Sequence, residues 1–265
     1  MQRLGIIPNA ELPGGLDGDK LKAFAPGLLL SAWITRIMYT EILVNPFWFL
    51  DHLLAVLAPA ESYSMAAGMH HLFQELENLK AGDCKDVHTC RQDFMAFLDP
   101  DDPTLPKSTE SRDFSQHVEE ALKAATEEVA GKIVETSAVL LKDPGSEKLR
   151  TALNYMTLQT AERGYQIAQS RACLRISYIN ELPPDFKGTE GNMRRHDSHR
   201  IYLSEKPEGG YLHVEDETRL IGKPVLLVVE PLITARGYSS KVNYDVEHVM
   251  NPAFVWLGEE YTTIE

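Results

Sequence analysis

The sequence predicts an α+β protein: helical through its N-terminal two thirds, including a long helical hairpin, with a small, mostly antiparallel or mixed sheet in its C-terminal third. Three observations predict this. An apolar repeat at helical spacing runs from Phe114 to Leu140, and a second follows the breaker Asp143-Pro144-Gly145. Beyond Cys173 the chain turns to short β-rich runs separated by Gly, Pro, Asn and Asp.

Residues 1–22 are rich in Gly, Pro and Asp without periodicity and read as an irregular lead-in. Residues 23–99 form an apolar helical region. Its first stretch, FAPGLLLSAWITRIMYTEILVNPFWFLDHLLAVLAPA, is the most apolar in the chain. Arg36, Glu41, Asp51 and His52 interrupt it, so no run approaches the roughly 20 apolar residues a spanning helix needs. Two buried helices meeting at Asn45-Pro46 explain it better, because the residue before proline is pushed out of the α region. A third helix is expected from about Ser62 to Lys80 and a short fourth from Val87 to Leu98. Residues 100–112 form a linker, since Pro100, Pro103 and Pro106 exclude a regular element.

The hairpin occupies residues 113–172. Phe114, Val118, Leu122, Ala125, Val129, Ile133 and Leu140 line one face of its first helix, with Asp113 as the expected cap. Ser146 can cap the second helix, marked by Leu149, Leu153, Met156 and Ile167. So short a turn sets the two antiparallel. In the β-rich region, 173–265, the expected strands are LRISYI, HRIYL, GYLHV, PVLLVVEP and AFVWLG. PVLLVVEP is continuously apolar, as a strand covered on both faces should be.

The chain has 265 residues, 43% of them hydrophobic, 25% charged, and a net charge of −13. That acidity opposes nonspecific binding to a phosphate backbone, which needs clustered Lys and Arg. The opening residues lack the long apolar core of a secretory signal, and three cysteines cannot build a disulfide framework. A cytoplasmic protein is expected.

Three stretches carry candidate site chemistry. In DCKDVHTC, Cys84, His88 and Cys90 have separations a zinc site can use, with His70 or His71 from the preceding helix completing the set. The bland alternative is two small cysteines at a helix–loop junction and a solvated His88. The second stretch, RRHDSHR, stands before a predicted strand holding His213 and Glu215. His196, His199, His213 and Glu215 are types that bind a divalent metal, and strand alternation sets the last two on one face. Arg194, Arg195 and Arg200 could instead receive a phosphate or carboxylate; the alternative is a charged loop.

The third stretch is VLLVVEPLITARGYSSKV, followed by the apolar AFVWL. This order resembles the fifth-motif region in the second RecA-like lobe of DEAD/DEAH-type helicases. The resemblance covers residues 219–257 and implies that Glu230, Arg236 and Gly237 lie near a loop that approaches nucleic acid or nucleotide. No phosphate-cradling G-x-x-x-x-G-K-[ST] occurs in the sequence, so the chain alone is not expected to hydrolyse ATP.

No complete catalytic motif stands out; G-x-S-x-G is absent. Cys173, at the helix-to-strand switch, reads as a buried thiol. Three function classes follow. The leading expectation is a noncatalytic interaction or accessory module with protein partners. The others are a helicase-lobe-like component of a nucleic-acid-processing system and a small metal-dependent enzyme using His196, His213 and Glu215.

Overall fold

A computed structural model of the chain describes residues 21–58, 64–79, 85–99, 109–141, 143–196, 220–237 and 244–258. The predicted α+β class holds. Among the described residues there are six α-helices and two three-stranded sheets. The helices are α1 (Leu21–Met38), α2 (Leu50–Leu57), α3 (Met65–Leu79), α4 (Lys85–Phe97), α5 (Thr109–Ser137) and α6 (Glu147–Ala168). The strands are β1 (Cys173–Ser177), β2 (Met193–Arg195), β3 (Val225–Glu230), β4 (Leu232–Arg236), β5 (His248–Asn251) and β6 (Ala253–Leu257). No helix among the described residues is long and apolar enough to cross a membrane.

The chain divides into two compact units that interleave along the sequence. The first draws on Met1–Arg36, Arg175–Thr234 and Val249–Glu265, and the second on Ile37–Leu174 and Ala235–His248.

In the first unit, β6 is the central strand of the order β2-β6-β3. It pairs parallel with β2, Met193 facing Ala253, and antiparallel with β3, Val228 facing Val255. The sheet is therefore mixed. PVLLVVEP is covered on both faces, as its apolar run predicted. Leu227 and Val229 join Trp256 and the α1 residues Leu28 and Ala32 in one cluster. Val225 and Val228 pack against a second cluster of Phe186, Met193, Ala253, Val255 and Leu257. The remaining strands pair in the order β1-β4-β5.

The second unit is helical. After α1 the chain makes a π-helical turn, Tyr39–Leu43, closed by Val44 N donating to Tyr39 O at 2.9 Å. Helix α6 approaches this turn at Gly164. A Cβ there would lie 3.0 Å from Ile42 Cγ2 and 3.1 Å from Leu43 Cδ2. The predicted break at Asn45-Pro46 is present, with Phe47 N donating to Asn45 Oδ1 at 3.0 Å.

Helices α5 and α6 pack as the hairpin, with three corrections. Helix α5 starts at Thr109, so Asp113 lies inside it rather than at its cap. The last proline is Pro106, and the intervening KSTES contains nothing that stops a helix. Ser146 does hold the N-cap position of α6, but its side chain makes no capping bond. Met156 is exposed; the buried line of α6 is Leu153, Thr157, Ala161, Gly164 and Ala168. Small side chains at four of those five positions admit close helix packing.

Candidate functional site

Helices α3 and α4 owe their mutual placement to an aromatic cluster. Phe47, fully buried, meets Phe73 of α3 with ring centroids at 5.1 Å and Phe94 of α4 at 5.8 Å. Asp51 of α2 caps α3 from outside. Its Oδ1 accepts from Ala66 N at 2.8 Å and its Oδ2 from Ser64 Oγ at 3.0 Å, satisfying an amide the helix start leaves bare. Phe73 and Glu77, four residues apart, then share the inner face of α3. On α4, His88 and Arg91, three apart, share the inner face.

The third contributor is the turn between α6 and β1. Arg91 Nη2 donates to Ser170 O at 3.1 Å and Ala172 O at 2.6 Å, and Tyr244 Oη donates to Arg171 O at 2.7 Å. Three consecutive carbonyls are thus held by two side chains, which fixes Cys173, the next residue. Carbonyls past a helix end need such donors.

Glu77, His88 and Cys173 converge. One carboxylate oxygen, one imidazole nitrogen and the Cys173 sulfur lie within 4.8 Å of one another. His88 Nδ1 is 3.6 Å from Glu77 Oε1, too far for a hydrogen bond. The imidazole is fully buried, and neither ring nitrogen has a hydrogen-bond partner among the described residues. Tyr244 stacks on it, with centroids at 5.3 Å and planes at 14°. Tyr244 in turn lies against Gly237, whose φ is +70°; a Cβ there would fall 2.5 Å from Tyr244 Cε1.

Burial, reinforced by the nearby Arg91 cation, lowers the His88 pKa to about 4. The ring is neutral near pH 7 and keeps a nitrogen lone pair available. Burial raises the Glu77 pKa, and Arg91 opposes that rise. Arg91 is itself pulled down by burial and held up by Cys173, Glu77 and Tyr244. A nucleophile relay needs the carboxylate and the thiol on opposite imidazole nitrogens. Here one nitrogen lies within 4.8 Å of both, an arrangement that ligands of one cation share.

Among the described residues of the zinc set read from DCKDVHTC, only His88 enters this cluster. It is fully buried rather than solvated. Cys90 lies about 200° further round α4 and is exposed; Cys84 falls outside the described residues. His70 hydrogen-bonds Gln74 at 2.9 Å, and His71 is exposed. Cys173, read as a buried thiol, is half-buried at the cluster. In the second candidate stretch, Arg194 is exposed and Arg195 half-buried on β2. His196 follows, its backbone N donating to Val255 O at 3.0 Å. His199, Arg200, His213 and Glu215 lie outside the described residues. In the third, Glu230 ends β3, Arg236 makes an exposed ion pair with Glu247 at 3.7 Å, and Gly237 makes room for Tyr244.

Helix α3 has a second distinctive face. Met65, Leu72, Leu76 and Leu79 are all exposed, Leu72 at 51% and Leu79 at 80%. Their spacing of seven, four and three residues puts them on one stripe, beside the inner face rather than on it.

Comparison with protein-family models, with curated proteins and with solved structures finds no match to this chain.

Proposed function

We propose that this chain is a noncatalytic interaction module that presents the stripe on α3 to one amphipathic, Lys- or Arg-bearing helix of a partner protein. The observation that carries the reading is the exposure of Met65, Leu72, Leu76 and Leu79 along one side of a helix otherwise well anchored by Asp51 and Phe73. Leaving a leucine in water forfeits about 1.5–3 kcal/mol of burial, so four in register favour a cover. The stripe is one helix wide and about 21 Å long at 1.5 Å per residue, the footprint of a helix-in-groove contact.

Charge selects the occupant. Two copies at −13 each repel, whereas a basic helix is attracted, and Glu75 lies beside the stripe on the same helix.

The test uses a synthetic amphipathic peptide with a leucine stripe flanked by lysines, and a scrambled peptide of identical composition. Fluorescence anisotropy at physiological salt should show binding of the first alone, weakened at least tenfold by Leu72→Glu with Leu79→Glu. Equal binding of the scrambled peptide, or indifference to the double substitution, refutes the proposal. A dimer in sedimentation that the same substitutions dissolve would assign the face to a second copy instead, and refute it equally.

A further inference from the structure

We propose that Glu77, His88 and Cys173 form a site for one divalent transition-metal ion of the zinc class, clasping α3, α4 and the start of β1 together. This inference does not rest on the docking face of α3.

Geometry is the first ground. The three donors come from three separate elements and lie within 4.8 Å of one another, so side-chain shifts of about 1 Å bring them to the distances of a single ion's shell. Each element is independently held for the purpose. The Phe47 cluster fixes α3 and α4, and the bonds from Arg91 and Tyr244 fix the turn before Cys173.

The buried imidazole is the second ground. His88 is 0% exposed with neither ring nitrogen hydrogen-bonded among the described residues. Leaving one buried polar group unsatisfied costs about 1–3 kcal/mol, and an ion on the ring removes that cost on one nitrogen. The neutral state of the ring is the one that ligates.

The donor chemistry sets the class of ion. Calcium and magnesium take oxygen shells and do not select a thiolate. One carboxylate, one imidazole and one thiolate suit zinc and its neighbours, with three protein ligands and a fourth position left for water or another small donor. An ionised Glu77 and Cys173 together neutralise a dication. Arg91 acts in two directions: its charge opposes a nearby cation, yet it favours the ionised forms of Glu77 and Cys173. A directly bonded dication at about 2 Å outweighs a guanidinium tied to the backbone carbonyls of Ser170 and Ala172.

The whole chain, stripped of metal and shown to be folded by circular dichroism, is titrated with Zn(II) against a chromophoric chelator and with Co(II). One equivalent of each should bind, and Co(II) should give a thiolate charge-transfer band. Cys173→Ser should abolish that band and weaken Zn(II) at least tenfold. Glu77→Gln and His88→Gln should each weaken Zn(II) at least tenfold, and Cys90→Ser should change nothing. X-ray absorption of the zinc-loaded wild-type chain does not depend on any variant folding; it should show one sulfur and otherwise nitrogen or oxygen neighbours. A folded wild-type chain that binds no stoichiometric ion overturns the inference. So does a sulfur-free shell, or a site lost in Cys90→Ser and kept in Cys173→Ser.

Discussion

Replacing Gly237 by alanine should destabilise the helical unit through a residue that bears no side chain. The left-handed backbone, φ +70°, costs an alanine about 1 kcal/mol. The new methyl would also stand 2.5 Å and 2.6 Å from Tyr244 Cε1 and Cζ. Tyr244 must then move, losing its hydrogen bond to Arg171 O, about 1 kcal/mol, and its stack on His88, also about 1 kcal/mol. The sum is about 3 kcal/mol by these terms. Urea denaturation of the wild type, Gly237→Ala, Tyr244→Ala and the double variant forms a cycle. With Tyr244 already truncated, Gly237→Ala should cost only the backbone share, about 1 kcal/mol. An equal cost in both backgrounds would mean that the contact with Tyr244 contributes nothing, and the reasoning would fail.

Three further predictions follow from the same unit. In the metal-free protein the His88 pKa of about 4 lies below its ordinary value of 6.5. Its contribution to stability is therefore complete above pH 6.5 and is lost as pH falls from 6.5 toward 4. Between pH 7 and 5 the wild type should lose about 2 kcal/mol more than His88→Gln, and a pH-independent difference in urea midpoints would refute this. Asp51→Ala removes the acceptor of Ala66 N while Ser64 Oγ still accepts from Ala67 N, and should cost about 1 kcal/mol, with faster amide exchange confined to the first turn of that helix. Phe47→Ala empties the junction of Phe73 and Phe94 and should cost about 3–5 kcal/mol by thermal or urea denaturation; a loss under 1 kcal/mol would mean that the junction collapses without penalty.

The parts of the fold legible in the sequence are those whose burial is continuous along the chain. Val118, Ala125, Val129 and Ile133 repeat at helical spacing and are all buried on α5. The apolar runs of β3 and β6 are strands, because both faces of each meet core. Strand β5, HVMN, has an exposed first three residues and so carries no apolar signal. LITAR, which forms β4, is absent from the expected strands because it follows Pro231 and ends at Arg236-Gly237. The cluster was half legible. His88 stood out, but its partners are 11 residues before it and 85 after it in the numbering, beyond any local motif. The available signals were a lone acid, Glu77, one turn past Phe73 on an apolar face, and a cysteine at the helix-to-strand switch.

The cluster that joins Leu28 and Ala32 of α1 to Trp256 of β6 has a consequence for the order of events on the ribosome. At roughly 5–20 residues per second, the early apolar face of α1 emerges about 11–45 seconds before the strand that covers it. Residues 37–174, the bulk of the helical unit, are made within that interval and their contacts are closer in sequence, so that unit should acquire structure first. The first unit must wait for its central strand. Until then Leu28 and Ala32 are surface that chaperones can bind, and nascent chains halted short of residue 253 should keep a protease-sensitive α1 beside a protected helical body.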